Sequence, residues 1–582
     1  MSDRLIIHDA RLQQWLCFQQ PEQIIEAHRL EEVVPRLQQL ETTIRRLHLY
    51  GAGFITYEAA TAFDSALKTH EPSALPLLWF GLYQKPEIIQ LPAPAATGDY
   101  LLDWQPTVTR EEYERAIASI KQRIAQGETY QVNYTTRLQA PFRGDPWQLF
   151  LKLVRSQQAD YGAYFESDRF AICSASPELF FRLEGDVASA RQRLRLTSRP
   201  MKGTAGRGLA LADDEAIARQ LQNCPKNRAE NVMIVDMIRN DMGRVADIGS
   251  VGVPSLFDVE RYPTLWQMTS TVTASTGASL SEIMAALFPC ASITGAPKAR
   301  TMEIIRDLEA TPRGIYTGSM GFVSPQGEAQ FNVAIRTVLI DKESDRAEYG
   351  VGGGIVWDSV SADEYGECQV KARVLTANRP EFSLLETMLW QPGEGYFLLS
   401  YHLQRLRDSA IYFGYRLNLE EVKQKLEGLA KSLPPVSHKV RLLVAADGGA
   451  TVEASRFSAA CEPVKLSLSP VPVDPSNPFL YHKTTNREVY EKARNACPNC
   501  DDVVLWNQRG EVTETCIGNL VVLFGGELLT PPVKCGLLPG TFRAYLLETG
   551  KVREEAIALE TLKRCEKIYV INSVRQWREG RL

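Results

Sequence analysis

The sequence predicts a two-module α/β chain, α+β in its detail, on three observations. Its 582 residues exceed what one core supports, since single hydrophobic cores stop growing near about 250–300 residues. Helix-period stretches are interleaved with β-rich runs that form hairpins and not regular strand–helix–strand repeats. A seam falls at 375–382, "LTANRPEF", where an Asn-Arg-Pro breaker follows a helical stretch. The expected modules are 1–376, with 1–105 as an N-terminal segment, and 377–582.

The elements follow in order. Residues 1–105 mix short strands and loops; "LPLLWFGLY" (75–83) reads as a buried strand and "LPAPAATG" (91–98) as a connector. "TREEYERAIASIKQRIAQGE" (109–128) has a Thr cap, acidic residues in its first turn and a closing Gly127, so a helix is expected. Residues 213–243 form a second helical region, and 277–289 and 296–310 two more. The β-rich runs are "RFAICSASPELFFRLEG", "GSMGFVSPQG" and "AQFNVAIRTVLID", and a long hairpin is expected between Glu178 and Lys202. Beyond the seam, "HLQRLRDSAIYFGY" (402–415) is a helix, 438–455 a hairpin, and 501–532 strands with turns.

Composition narrows the function. A net charge of −5 lacks the basic surplus of a nucleic-acid binder. Charges interrupt every apolar run of "MSDRLIIHDARLQQWLC", and no stretch approaches a membrane span. Eleven scattered cysteines fit reduced thiols, so a cytoplasmic protein is expected. Cys497 and Cys500 form a CxxC without a partner pair and read as ordinary thiols.

No histidine occurs between residues 71 and 401. Acid–base chemistry there falls to Glu, Asp, Lys, Tyr or water. The chemistry-bearing stretches are "SPELFF" (176–181), "RPMKGTAGRG" (199–208), "NRAENVMIVDMIRNDMG" (227–243), "SITGAPKARTMEII" (292–305) and "GVGGGIVWDSVSADEYGECQVKA" (350–372). Glu367 and Lys371 are four apart, hence on one helix face. Arg336 stands inside an apolar run read as a strand, the setting of a fixed bidentate donor for a carboxylate.

Together these stretches resemble the chorismate-utilising enzymes: anthranilate synthase component I, aminodeoxychorismate synthase component I, and isochorismate and salicylate synthases. The resemblance covers roughly 105–375 and extends more faintly to "GFITYEAATAFD" (53–64). It implies a two-lobed β-sandwich with outer helices. It implies Mg²⁺ held by Glu230 and Glu367, with Lys371 beside the carboxylate the metal orients. Arg336 and Tyr316 would grip the enolpyruvyl carboxylate, Gly352 would offer backbone to it, and Ser292 and Gln131 would also meet substrate. Anthranilate synthases look like P-I-A-G-T where aminodeoxychorismate synthases look like P-I-K-G-T; here the text is Pro200-Met201-Lys202-Gly203-Thr204. Lys202 is the implied nucleophile and Glu178 the implied general acid, later base. The histidine that anthranilate synthases carry near S-G-A-P-K is absent from "LFPCASITGAPK". No glutaminase Cys or His-x-Glu pair is found, so ammonia is expected from a separate glutamine amidotransferase subunit.

The last 200 or so residues hold "SYHLQRLRDSA" (400–410), "LYHKTTNREVYEKA" (480–493), "GEVTETCIGNLVVL" (510–523), "CGLLPGTFR" (535–543) and "VINSVRQW" (570–577). Over about 382–582 they resemble fold-type IV pyridoxal-phosphate enzymes. The resemblance implies Lys483 as the lysine that takes the cofactor aldehyde and Glu514 as partner of the pyridine nitrogen. Arg405, Gly540, Thr541 and Ser573 would hold the cofactor phosphate. A pared-down small subdomain is expected, and a homodimer through this module. Fused, the two resemblances imply amination of chorismate at C4, then elimination of pyruvate to give 4-aminobenzoate. Two other readings stay open: an anthranilate-forming synthase fused to an aminotransferase, and a scaffold whose sites have decayed.

Overall fold

The computed structural model describes residues 3–94, 102–185, 193–376, 380–458 and 463–582. The chain divides into two compact units: Met1–Arg207 with Ala218–Arg379, and Gly208–Ile217 with Pro380–Leu582. The end of the 91–98 connector, the middle of the 375–382 seam and the turn of the hairpin after Glu178 lie outside the described residues.

The first unit is built on two ten-stranded antiparallel sheets. Alternation along each strand explains how they stack. Leu5 and Ile7 join Phe18, Phe54, Trp79, Phe165, Ile172 and Phe322 in a core drawn from both sheets. Ile6 and Tyr164, one residue out of phase, join a second core with helices Arg110–Ala125 and Pro146–Gln157. A third core packs helices Leu30–Leu47, Pro225–Gly243 and Leu280–Leu287 on the outer face of the other sheet. The result is the sandwich with outer helices. Strands of the first 105 residues contribute to both sheets, so the N-terminal segment is integral to the fold.

The helix after residue 109 runs Arg110–Ala125, with Thr109 and Glu112 closing a capping box. The single helical region expected over 213–243 is two helices, Leu211–Asn223 and Pro225–Gly243. Pro225 has no N–H to continue the first but suits the opening turn of the second.

Two of the β-rich runs cross between sheets. Phe170–Ser176 lies in one sheet and Leu179–Gly185 in the other, with Pro177 and Glu178 at the crossing. Ala329–Asn332 and Thr337–Asp341 are divided the same way. Arg336 is therefore not inside a strand, as its apolar neighbours suggested, but at the second crossing, with φ 51°. The crossings are stitched together: Val333 N–H donates to Glu178 O at 3.0 Å and Ala175 N–H to Arg336 O at 3.1 Å.

The second unit has a four-stranded sheet containing Leu384–Gln391, His438–Val444 and Ala450–Arg456. Helices Leu399–Phe413 and Leu419–Ser432 cover one face through Leu406, Ala410, Val422 and Leu426. A mixed eight-stranded sheet follows; pairing of Val512–Thr515 with Asn519–Phe524 closes six of its strands into a ring. Among the described residues no helix is long and apolar enough to cross a membrane.

Candidate active sites

The sheet crossings of the first unit open onto a cleft of about 960 Å³ lined by Glu178, Lys202, Glu230, Ser292, Tyr316, Arg336, Gly352, Glu367 and Lys371. Residues spread over nearly two hundred positions of sequence thus share one cavity. Lys202 sits in strand Met201–Gly206, which pairs with Leu265–Thr276 and shifts register between Met201 and Thr204. Gly203 takes φ 92° there, a conformation that favours glycine. The irregularity turns the lysine into the cleft. Burial lowers the Lys202 pKa and the Lys371 charge adds to this, while Glu230, Glu178 and Glu367 oppose.

Glu178 is buried and accepts the Ser292 hydroxyl at 2.6 Å. Burial pushes its carboxyl up to about 7, against the pull of Ser292, Lys202 and Arg336. Such a carboxyl carries a proton near neutrality and can give it up. The turn Ala291–Ile293 that presents Ser292 is held by Arg313, whose Nη1 donates to Ile293 O at 2.9 Å. Arg313 also forks onto Glu309 at 3.0 and 2.6 Å, and buried Glu58 accepts the N–H groups of Arg313 and Gly314.

Arg336 is almost fully buried, and its Nη1 has no protein partner. A buried guanidinium with an open donor suits an anionic group of a ligand. The glycine run lies in the strand Arg346–Ile355, paired with Gln131–Pro141 along its whole length. Thr337–Asp341 covers its other edge only as far as Tyr349. Gly352 O accepts Lys371 Nζ at 2.8 Å on the uncovered edge, and the Gly352 N–H faces the same way, as N–H and C=O of one strand residue do. Gly350 is required by Tyr316: a Cβ there would lie 2.2 Å from the ring. Gln131 is the one expected residue outside the cleft lining; it stands behind the wall, fully buried.

Lys371 Nζ lies 2.8 Å from Glu367 on helix Ser361–Ala372. Sequence reasoning missed Glu364, one turn earlier on that helix; it faces the cleft, accepts Ser359 Oγ at 2.7 Å and is buried. Its three-residue spacing from Glu367 was the available signal. Burial raises the pKa values of Glu230 and Glu364, and each carboxylate is raised further by Glu367. Among the described residues no three His, Cys, Asp or Glu side chains form a metal-holding group. The mutually repelling pair Glu230 and Glu367 fits Mg²⁺, which binds through one or two carboxylates and completes its shell with water and substrate.

A separate cleft in the second unit is lined by Lys483, Glu514, Arg405, Gly540, Thr541 and Ser573. Lys483 is held by Leu385, whose N–H donates to its backbone O at 2.9 Å. Burial and the nearby Arg405 charge lower its pKa to about 8. Glu514 accepts Tyr490 Oη at 2.8 Å and Leu538 N–H at 3.1 Å, and burial pushes it up to about 8. A cationic nitrogen facing Glu514 would restore its charge.

Arg405 is more committed than the sequence implied. Its Nε and Nη2 fork onto Glu386 at 2.9 and 2.6 Å, and Nη1 reaches Pro539 O at 3.1 Å. Of its five N–H groups two remain for a phosphate. Glu386 also holds His402 Nδ1 at 2.6 Å, and His402 Nε2 lies 3.3 Å from Thr541 Oγ1. Thr541 opens helix Thr541–Glu548, and a Cβ on Gly540 would lie 1.9 Å from Asn519 Oδ1. This donor set fits pyridoxal phosphate: an amine of lowered pKa, a carboxyl for the ring nitrogen, and a helix N-terminus with hydroxyls for the phosphate.

Residues 2–377 match the family model for chorismate binding enzymes, and 383–581 that for amino-transferase class IV. Aminodeoxychorismate synthase component 1 of Klebsiella aerogenes is 43% identical over 277 residues, 47% of this chain and 59% of that protein. The Escherichia coli (strain K12) protein of the same name is 40% identical over 267 residues, 46% of this chain and 57% of that one. Aminodeoxychorismate synthase of Streptomyces griseus is 42% identical over 268 residues, 46% of this chain and 36% of that protein. The matches thus span between 36% and 59% of these relatives' lengths. Anthranilate synthase component I from Streptococcus pneumoniae shares the fold at 23% identity and TM-score 0.53, over 64% of this chain and 92% of that one. With its sandwich, its cleft and a family match over 2–377, the chain belongs to the chorismate binding enzyme family and carries an amino-transferase class IV region behind it.

Proposed function

We propose that the first unit aminates chorismate at C4 and that the second releases pyruvate from the product, giving 4-aminobenzoate, the folate precursor. The observation that carries this reading is Lys202: half-buried, of lowered pKa and in one cleft with Glu178 and Arg336. Relatives 40–43% identical over this region are aminodeoxychorismate synthases.

Arg336 and Tyr316 hold the enolpyruvyl carboxylate. Mg²⁺, when held by Glu230 and Glu367, would neutralise the ring carboxylate. Lys202 Nζ attacks ring C2, the two conjugated ring double bonds each shift by one bond around C1, C6 and C5, and the C4 hydroxyl leaves as water with the proton of Glu178. Ammonia then forms the bond to C4, both double bonds return to their first positions, and the C2–N bond to Lys202 breaks. Glu178, now a carboxylate, takes the surplus proton. A separate glutaminase supplies the ammonia, and free ammonium replaces it in vitro.

In the second unit pyridoxal phosphate, when bound, supplies an electron sink to the ring amino group. Lys483 removes the C4 proton, the enolpyruvyl group departs and is reprotonated as pyruvate, and the ring becomes aromatic. Glu514 holds the pyridine nitrogen; Arg405, Gly540, Thr541 and Ser573 hold the phosphate.

The test is a product assay. The chain, given chorismate, ammonium, Mg²⁺ and pyridoxal phosphate, is expected to yield equimolar 4-aminobenzoate and pyruvate. 2-Aminobenzoate would overturn the assignment of C4 to Lys202.

A further inference from the structure

Glu58 is buried outside the cleft lining, and the proposed chemistry gives it no part. The fold places it behind the wall. Strand Tyr50–Ile55 pairs antiparallel with Ser319–Val323, with Ile55 opposite Ser319. Past that end the two chains run on side by side, so residues 56–58 meet 313–318. Glu58 Oε1 accepts the Arg313 N–H at 2.7 Å and Oε2 the Gly314 N–H at 2.9 Å. The Tyr57 N–H donates to Gly314 O at 2.8 Å. Gly314, at φ 58°, is thus held at both its N–H and its C=O. Two residues on, the Tyr316 N–H donates back to Arg313 O at 3.1 Å, and the Thr317 N–H to Ala334 O at 2.8 Å. These bonds carry the Tyr316 ring into the cleft, against Gly350.

Resting on the proposed amination, we infer that Glu58 is a positioning residue for chorismate: it holds the 313–316 turn so that the Tyr316 hydroxyl meets the enolpyruvyl carboxylate. The turn requires a carboxylate. Two N–H donors from adjacent residues converge on the side chain, and a carboxylate offers two acceptor oxygens and no donor. An amide would set its own N–H against one of them, and a buried donor without an acceptor is costly enough to displace the turn. Burial pushes the Glu58 carboxyl up to about 7, and the same two N–H groups oppose the shift. The Arg313 side chain does not depend on Glu58: its guanidinium is held by Glu309, Ile293 O and Asn133 O. The turn that presents Ser292 to Glu178 therefore stays in place when Glu58 is changed, and the effect falls on substrate binding.

The test is Glu58→Gln, assayed for amination at pH 8 in two backgrounds: the parent, and Tyr316→Phe, which removes the hydroxyl alone. In the parent background the chorismate KM is expected to rise about tenfold, the loss of one hydrogen bond of ordinary strength, with the ammonium KM within about twofold. In the Tyr316→Phe background the same change is expected to raise the chorismate KM by less than about twofold, because the contact it governs is already gone. A general loosening of the fold would act equally in both backgrounds. Pyruvate release from 4-amino-4-deoxychorismate at the parent rate and a melting transition near the parent's would show the chain folded. An unchanged chorismate KM, equal rises in both KM values, or the same chorismate rise in both backgrounds would overturn the inference. If Glu58→Gln does not fold, Glu58→Asp, which keeps the charge and draws the carboxylate back by one bond, is read in the same way. Absence of amination by the parent chain would instead overturn the proposed function.

Discussion

Ser292 donates its hydroxyl to Glu178 across 2.6 Å, and this bond opposes the burial that holds the Glu178 carboxyl near about 7. In the proposed mechanism the first chemical step needs that carboxyl protonated, so amination is expected to fall as pH rises through about 7. Ser292→Ala removes a bond that favours the ionised form. The Glu178 pKa then rises, and the alkaline limb of the kcat profile moves to higher pH. A profile of kcat against pH for parent and variant checks it; a limb that stays or moves down contradicts the role of Glu178.

Glu367 pairs with Lys371 and, with Glu230, is one of the two carboxylates expected to hold Mg²⁺. Glu367→Gln is expected to raise the Mg²⁺ concentration for half-maximal amination by about tenfold or more, since even outer-shell changes cost about 10–100-fold in metal affinity. Pyruvate release from 4-amino-4-deoxychorismate by the second unit stays at the parent rate. Titrating Mg²⁺ in both assays measures this.

Lys483 is pulled down to about 8, chiefly by burial. Only the neutral amine attacks the cofactor aldehyde. The rate at which apo-protein gains the visible absorbance of lysine-bound pyridoxal phosphate therefore rises with pH and levels off above about 8. Stopped-flow absorbance from pH 6 to 10 reads it, and a rise continuing to the ordinary lysine range would contradict the burial effect.

Arg313 and Glu309 form a buried pair that carries the turn behind Ser292. Arg313→Met leaves the buried Glu309 carboxylate with its longer ion pair to Arg137, at 3.7 Å, and the Thr135 donors. Breaking a buried pair costs up to about 3–5 kcal/mol, and the remaining partners hold the loss to the lower end of that range. Denaturant unfolding is expected to show the loss in the first unit, with the pyridoxal phosphate absorbance of the second retained.

The sequence carried more of the site than of its support. The helix after Thr109 was legible because cap, acidic first turn and closing glycine are local signals, and Pro225 was an unread one. Arg336 looked like a strand residue because its neighbours are apolar; a chain crossing between two sheets is apolar too, being buried on all sides. The expected cleft residues converge except Gln131, whose position behind the wall depends on a pairing with Ala296 across 165 residues. Glu386 was invisible for the same reason: its partners His402 and Arg405 lie one helix turn apart, but nothing local ties them to a carboxylate on an earlier strand.

The central claim is that two clefts act in series, Lys202 in the first and Lys483 in the second. The most direct measurement gives Lys202→Ala and Lys483→Ala each two substrates, chorismate with ammonium and 4-amino-4-deoxychorismate, and quantifies 4-aminobenzoate by mass. Lys202→Ala is expected to fail on chorismate and convert the amino compound at the parent rate. Lys483→Ala is expected to consume chorismate and accumulate the amino compound. Undiminished 4-aminobenzoate formation from chorismate by Lys202→Ala, or loss of both reactions in either variant while it remains folded, would contradict the account.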